Sequence, residues 1–236
     1  MPDFHRHAVY YLPPEGGLAR FGAAWLGWDA LTGREAAPPD LPAPGLPAPD
    51  RARLTADPHK YGFHATIKPP FRLAAGQDAM ALRFAFRDLC ARMMPVTLAG
   101  LGLAEIGSFL ALVPEGDAQG LRVLAGAAVR DLDSFRAPPS PEELARRRGK
   151  GLSASEDANL LRWGYPYVMD DFRFHMTLTG PVRDPAERAA VRALLTPMLA
   201  PLLPRPFVLD SLCLVGADAE GRFHLIERRR LSGRPD

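Results

Sequence analysis

Cysteine is scarce in this sequence, which contains only Cys90 and Cys213 among its 236 residues. Neither has a second cysteine at CxxC spacing, so the pattern contains no zinc site of the cysteine type. Cys90 lies in a predicted helix and Cys213 in an apolar predicted strand. We therefore expect two buried free thiols.

Excess charge and long apolar runs are also missing. The net charge of +2 is too small for a general nucleic-acid-binding surface. The longest apolar stretch, 194–215, is interrupted by four prolines and is no candidate for a transmembrane helix. Residues 1–14 lack the apolar core of a signal peptide. We expect a soluble cytoplasmic protein with no membrane partner.

Two short stretches, Phe-His-Ala-Thr-Ile and Phe-His-Met-Thr-Leu, each place a histidine and a threonine two residues apart. They contain His64 with Thr66 and His175 with Thr177. Both are apolar and typical of β-strands, in which residues i and i+2 point to the same face. Each histidine is therefore predicted to share a face with its threonine.

The two stretches belong to an internal repeat. The histidines are 111 residues apart, and at this shift residues 63–103 align with 174–214 without a gap. The residues that coincide include Phe63 with Phe174, His64 with His175, Thr66 with Thr177, Pro70 with Pro181, Arg72 with Arg183, Pro95 with Pro206 and Leu101 with Leu212. Both copies read as strand, helix, strand, strand, which indicates a duplication.

This repeat predicts an α+β fold in which two similar lobes are related by a pseudo-twofold axis, with antiparallel sheets around a central groove. We expect one bilobal domain over 1–236. Lobe 1 spans about 54–133, lobe 2 spans about 172–231, and an N-terminal strand at 8–12 joins a sheet. The symmetry brings both His-x-Thr strands to the groove.

Two segments stand outside the repeats. The proline-dense stretch 36–50 predicts an extended surface connection. The segment 138–171 predicts two helices, whose capping boxes begin at Ser140 and Ser153. This segment is longer than a simple link requires and carries the basic run Arg146–Lys150. We expect it to form a lid or wall over one end of the groove.

Paired histidines and threonines suit phosphoryl chemistry. Histidine titrates near neutrality, so two of them can act as general base and general acid, and threonine hydroxyls can donate hydrogen bonds to anionic oxygens. A single His-x-Thr is more often structural, but an in-register duplicate favours a site. Two histidines are too few for a zinc centre, and no carboxylate lies beside either motif.

Strand alternation adds binding candidates. Lys68 shares a predicted face with His64, and Arg173 shares one with His175, so both are candidates to bind a phosphate group. For each, a cation reaching the rim of the fold is an equal alternative. Tyr61, Tyr11 and Tyr167 are candidates to stack on a sugar or base, with packing in the core as the alternative.

The sequence resembles the 2H phosphoesterase superfamily, which is defined by paired His-x-Thr/Ser motifs in a duplicated α+β lobe. More narrowly, it is similar to a branch named for phosphonate metabolism. The phrases that carry this second resemblance are Tyr61–Phe71 (YGFHATIKPPF), Asn159–Tyr167 (NLLRWGYPY) and Phe172–Gly180 (FRFHMTLTG).

The resemblance implies a phosphodiesterase that needs no metal or other cofactor. It implies His64 and His175 as the acid/base pair and Thr66 and Thr177 as ligands of the phosphate. Both motifs match without departure. The association with phosphonate breakdown points to a small phosphate-containing substrate, with a ribose cyclic phosphate as the hypothesis.

Two other functions remain open at this point. One is a 2′,3′-cyclic phosphodiesterase or ligase acting on RNA ends, which the basic run Arg146–Lys150 favours. The near-neutral net charge and the lack of an arginine–aromatic stripe count against an RNA partner. The other is a non-catalytic module that binds nucleotides or phosphosugars.

Overall fold

The computed structural model describes residues 4–40, 48–149 and 151–233, which include both halves of the repeat. The strands in these residues are β1 (Arg6–Tyr11), β2 (Trp28–Asp29), β3 (Arg34–Glu35), β4 (Ala65–Phe71), β5 (Val96–Leu98), β6 (Gly100–Ile106), β7 (Phe109–Glu115), β8 (Met176–Thr177), β9 (Phe207–Leu209), β10 (Ser211–Ala217) and β11 (Phe223–Arg230). The α-helices are α1 (Gly17–Leu26), α2 (Ala48–His59), α3 (Ala79–Arg92), α4 (Gln119–Asp131), α5 (Pro141–Arg148), α6 (Ala154–Trp163) and α7 (Pro185–Leu199).

The main element is a seven-stranded antiparallel sheet with the order β11-β10-β1-β4-β8-β7-β6. The two strands that follow the motif histidines, β4 and β8, are neighbours near its centre. Two small sheets, β2-β3 and β5-β9, complete the strands of the described chain. The predicted α+β class is confirmed.

The strand register contains the predicted twofold axis. Ala65 pairs with Met176 between β4 and β8, and Thr97 pairs with Val208 between β5 and β9. The partners in each pair are 111 residues apart, so each residue lies opposite its own copy in the repeat. An axis between these partners exchanges the two halves.

Both halves contribute to one large sheet. The strands β6 and β7 from the first repeat extend the sheet beyond β8, whereas β10 and β11 from the second repeat lie beside β1. The antiparallel strands of both halves thus form one continuous sheet across the axis. The N-terminal strand β1 joins it between β4 and β10, as the prediction for 8–12 requires.

Apolar packing defines the two faces of this sheet. One face belongs to the main core, which contains Leu82, Phe86 and Leu89 of α3 together with Ala65 and Met176 of the motif strands. Such close-packed burial makes this face rigid. His64 and Thr66 point to the opposite face, as alternation predicts.

None of the described helices is long and apolar enough to cross a membrane.

Candidate active site

The two motif histidines are held by the same backbone contact. His64 Nδ1 donates a hydrogen bond to the carbonyl of Gly62 at 2.9 Å, and His175 Nδ1 donates to the carbonyl of Arg173 at 2.8 Å. A carbonyl oxygen only accepts, so each neutral ring carries its proton on Nδ1 and a lone pair on Nε2. The same nitrogen is therefore left for chemistry in both halves.

Gly62 is suited to its part in this contact. Its φ of +70° lies in the left-handed region, and a Cβ at this position would lie 2.9 Å from the Cβ of Ala30. A larger residue would be strained there and would displace the carbonyl that orients His64.

The four motif side chains form one cluster across β4 and β8. Because Ala65 pairs with Met176, the antiparallel register places His64 opposite Thr177 and Thr66 opposite His175. The Thr66 hydroxyl lies 3.1 Å from His64 Nε2, to which it donates. Each histidine thus has one threonine on its own strand and the other across the pair.

A tyrosine that the sequence did not single out supports His64. Tyr10 of β1 pairs with Thr66, and its ring stacks on the His64 ring with centroids 3.9 Å apart and planes inclined by 26°. Tyr10 is fully buried, and its hydroxyl has no hydrogen-bond partner among the described residues. The Tyr61 ring also lies beside the His64 ring, with the two ring centroids 5.9 Å apart.

A cavity of about 490 Å³ opens over this cluster. Its walls include His64, Thr66 and Thr177, together with three tyrosines (Tyr10, Tyr61 and Tyr165) and three arginines (Arg6, Arg146 and Arg147). His175 lies at its margin, where its ring is 5.8 Å from the ring of Phe109, a wall residue. The cavity is therefore bordered by residues of both motifs.

Burial keeps both histidines neutral in the free site. It lowers the pKa of His64 from 6.5 to about 4, opposed by the hydrogen bond to Gly62 and reinforced by repulsion from His175. Burial also lowers the pKa of His175, again opposed by its backbone hydrogen bond. At pH 7 each Nε2 is therefore an acceptor ready to take a proton.

The prediction that Lys68 faces the site is wrong. Lys68 is 2% exposed, and its Nζ donates to the carbonyl of Val129 at 3.0 Å and lies 3.8 Å from the Asp133 carboxylate. The pairing of β4 with β1 explains this. Tyr10 pairs with Thr66, but the preceding residue, Val9, pairs with Lys68, so β4 contains one extra residue between the two pairs, a β-bulge. The extra residue turns Lys68 to the opposite face of the sheet.

Arg173 reaches the site through its backbone alone. Its side chain is exposed and lines a separate cavity of about 390 Å³, together with Phe172 and Phe174. The alternation rule does not apply there, because β8 begins only at Met176. The predicted cation of the second motif is therefore outside the His–Thr cavity.

The predicted tyrosines divide between three environments. Tyr61 lines the cavity as expected. Tyr11 is packed in the core, edge-on to Phe207, because it points away from its neighbour Tyr10. Tyr167 is 44% exposed, whereas Tyr165, which packs against it, lines the cavity.

The cations on the cavity wall are arginines from outside the repeats. Arg6 comes from β1, and Arg146 and Arg147 come from α5 of the inserted segment. Arg146, Arg147 and Tyr165 of the segment 138–171 thus line the cavity, and a lid or wall formed by the whole segment stays a prediction. Lys150 of the same basic run lies outside the described residues. The basic run is evident in the sequence, but no sequence pattern predicts that Arg6 or Tyr10 lies beside the motifs.

No group of three or more histidine, cysteine, aspartate or glutamate side chains that could hold a metal ion occurs in the described part of the chain. Cys90 and Cys213 are both buried and free, as expected.

Several solved structures resemble the chain at low sequence identity. One is described as a phosphoesterase, with a TM-score of 0.46, 16% identity, and coverage of 98% of this chain and 99% of that one. Another is Escherichia coli LigT complexed with 3′-AMP, with a TM-score of 0.45, 15% identity, and coverage of 98% and 99%. Both TM-scores are below 0.5.

Curated relatives are closer in sequence but much longer. The chain is 40% identical over 179 residues to the ribose 1,5-bisphosphate phosphokinase PhnN of Janthinobacterium sp. (strain Marseille), a match that covers 74% of this chain and 38% of that protein. It is 39% identical to the protein of the same name from Laribacter hongkongensis (strain HLHK9), with 74% and 40% covered. The chain thus spans about two fifths of these relatives.

A family model described as "Protein of unknown function (DUF1045)" matches residues 66–224, which is well over half of the chain. The matched region begins at Thr66 of the first motif and includes all of the second. The chain therefore belongs to the DUF1045 family.

Proposed function

We propose that this protein is a phosphodiesterase that opens a small cyclic phosphodiester by general acid/base catalysis with His64 and His175. The observation that carries the proposal is the equivalent pair of histidines, each with Nδ1 bound to a carbonyl and Nε2 left for proton transfer. The resemblance of both motifs to the 2H phosphoesterases supports the same reaction.

In the proposed reaction, one neutral histidine removes a proton from a water molecule as the water oxygen attacks phosphorus. The bond from phosphorus to the ring ester oxygen breaks, and the other histidine, in its protonated form, donates a proton to that oxygen. The product is a phosphate monoester next to a free hydroxyl. The anionic substrate favours the protonated form of the acid, because an adjacent negative charge raises a histidine pKa.

When substrate binds, the Thr66 hydroxyl turns from His64 Nε2 and donates to one non-bridging oxygen of the phosphate, and the Thr177 hydroxyl donates to the other. The two threonines lie on opposite sides of the twofold axis, as the two oxygens of a phosphodiester do. Such positioned donors stabilise charge in phosphoryl transfer, where positioning and electrostatics supply most of the catalysis. In this proposal the histidines perform the proton transfers without a metal.

The names of the longer relatives support a ribose phosphate as the substrate. Those proteins are named as ribose 1,5-bisphosphate phosphokinases, and the present chain covers only two fifths of each. The sequence here contains no GxxxxGK[ST] phosphate-binding loop. We therefore assign to this chain a phosphodiesterase step on a ribose cyclic phosphate, rather than the kinase activity that the names describe.

A screen of small cyclic phosphates tests the proposal. We expect turnover of a ribose cyclic phosphate, and we expect His64→Ala and His175→Ala each to lower kcat by roughly 10²–10⁴-fold. His59→Ala is the matched control, because His59 Nδ1 also bonds a backbone carbonyl, that of Leu26, at 2.7 Å but lies outside the cavity. It should retain wild-type kcat, and EDTA should not inhibit the wild type.

Full activity of His175→Ala, or strong inhibition by EDTA, contradicts the mechanism. Preference for RNA with a 2′,3′-cyclic end, with affinity that falls steeply as salt rises, favours the RNA-end enzyme instead. Binding of the cyclic phosphates without turnover indicates a binding module.

A further inference from the structure

We propose that the basic wall of the cavity, formed by Arg6, Arg146 and Arg147 with Tyr165, is a subsite for a second phosphate group. The substrate would then carry a terminal phosphate monoester in addition to the cyclic phosphodiester that the histidines open. This inference rests on the proposed function, and it names a part of the substrate that the two motifs do not contact.

Arg146 and Arg147 are available to bind an anion. Among the described residues, neither guanidinium forms an ion pair, although Arg148 beside them pairs with Asp157. The Arg147 guanidinium lies 4.5 Å from the ring centroid of Tyr165, and a side-chain hydrogen bond also joins the two residues. A guanidinium has five N–H donors, so Arg147 retains donors for the bidentate contacts that phosphate oxygens prefer.

Arg6 joins them from the sheet. Its Nη2 donates to Glu143 Oε1 at 3.0 Å, and the same carboxylate receives Arg72 Nη2 at 3.1 Å. Glu143 is itself fixed, since it accepts from the backbone N–H of Ser140 in the capping box of α5. Glu143 therefore neutralises only part of the charge of two arginines, and it aligns α5 with β1.

The charges on the wall exceed what a cyclic phosphodiester requires. Both histidines are neutral in the free site, and Asp57 is the one acidic residue among the described residues that line the cavity. A cyclic phosphodiester carries a single negative charge. A phosphate monoester adds about −1.5 to −2 at neutral pH, which the unpaired Arg146 and Arg147 match.

The position of the arginines also separates them from the reacting centre. The histidines and threonines obey the twofold axis, whereas Arg146 and Arg147 belong to the inserted segment, which has no copy in the other repeat. A symmetric set of groups suits the phosphodiester, and a one-sided set suits a group attached on one side of the sugar. The cavity of about 490 Å³ has room for both.

Binding of ribose 5-phosphate to the His64→Ala protein, measured by calorimetry against ribose, tests the subsite without turnover. We expect ribose 5-phosphate to bind and ribose not to bind at the same concentrations. Arg147→Gln in this background should weaken binding by at least about tenfold. Arg148→Gln, which changes the adjacent charge on the same helix but lies outside the cavity, should leave the affinity unchanged.

Kinetics supply the second measurement. With the wild type, a pentose cyclic phosphate that carries a 5-phosphate should have a KM about tenfold or more below that of the same compound without it. Arg146→Gln should remove most of this difference, whereas Arg148→Gln, which lies outside the cavity, should preserve it.

The results separate the subsite from the proposed function. Equal, histidine-dependent turnover of both compounds overturns the subsite and leaves the phosphodiesterase in place. Ribose 5-phosphate that binds through Arg147 while neither compound is turned over supports the subsite and contradicts the phosphodiesterase. Equal affinities of ribose 5-phosphate and ribose, or equal effects of Arg147→Gln and Arg148→Gln, also overturn the subsite.

Discussion

At the scale of single residues, the proposed chemistry depends on neutral imidazoles kept in a largely buried position. Tyr10 and Tyr61 cover the His64 ring, and its Nδ1 is fixed by Gly62. This environment favours the neutral ring over the imidazolium, because the charged form loses more hydration on burial. Burial therefore keeps His64 unprotonated in the free protein. Its neutral ring can then accept a proton once substrate has bound.

The same environment predicts a pH dependence of stability. His64 has a pKa of about 4 in the folded chain and an ordinary value of 6.5. Between these values the unfolded chain binds more protons, so the free energy of unfolding falls as the pH is lowered from 6.5 towards 4. The contribution of this one group is at most about 3 kcal/mol.

Urea denaturation of the wild type and His64→Gln at a series of pH values measures this contribution. Glutamine does not titrate, so the variant should lose less stability than the wild type on acidification. The difference between the two should develop below pH 6.5 and be constant above it. Parallel curves over the whole range would show that His64 is not responsible.

At the scale of the elements, the repeat was the most informative part of the sequence. A gap-free shift over 41 aligned positions (63–103) determines which strands are equivalent, and equivalent strands pair across the axis. The alternation rule was correct for His64 and Thr66 and wrong for Lys68, because a bulge changes the register of β4 against β1. No property of this proline-containing strand indicated the bulge.

A helix in the first half was also missed. The proline-dense stretch 36–50 predicted an extended connection, but α2 begins at Ala48, and residues 41–47 lie outside the described part. The helix contains Pro58 in its last turn. Tertiary contacts stabilise this helix, among them the hydrogen bond from Arg51 Nη1 to the carbonyl of Trp25 at 2.8 Å.

The bulge in β4 leads to a test with Lys68→Met. Because Lys68 lies on the core face, away from the cavity, we expect kcat/KM to stay within about threefold of the wild type. Stability should change little, since a methionine fills the same space without a buried charge and Asp133 keeps its partner Arg136 at 2.8 Å.

Steady-state kinetics and thermal unfolding of Lys68→Met measure these two quantities. Arg147→Gln, which removes a cation from the cavity wall, is the comparison expected to raise KM. A large loss of activity in Lys68→Met with an unchanged unfolding temperature would mean that this lysine serves the substrate after all.

At the scale of the whole molecule, the site depends on strand order that the sequence does not encode locally. The strand β1 is far from β4 and β10 in sequence and lies between them in the sheet. This order brings Tyr10 and Arg6 to the two motifs. Hairpins can be predicted from neighbouring residues, and a repeat can be recognised by comparing two parts of the sequence. The position of an N-terminal strand within the sheet depends instead on packing over the entire sheet. The duplication was therefore predictable and the composition of the cavity wall was not.

Glu143 is the connection between the inserted segment and the sheet. Its carboxylate binds Arg6 of β1 and Arg72, which follows β4, while it caps its own helix. Glu143→Gln weakens all of these contacts, so α5 should lose its alignment over the cavity. We expect KM to rise by roughly three- to tenfold while kcat is nearly unchanged, because the histidine pair belongs to the sheet.

Asp157→Asn is the matched control, since it breaks the ion pair between α6 and Arg148 of α5 without touching the sheet. It should leave KM near the wild-type value. A fall in kcat at constant KM in Glu143→Gln would indicate that the histidines themselves depend on this carboxylate. Because binding through the wall and chemistry at the axis arise from separate parts of the chain, the two kinetic constants should respond separately.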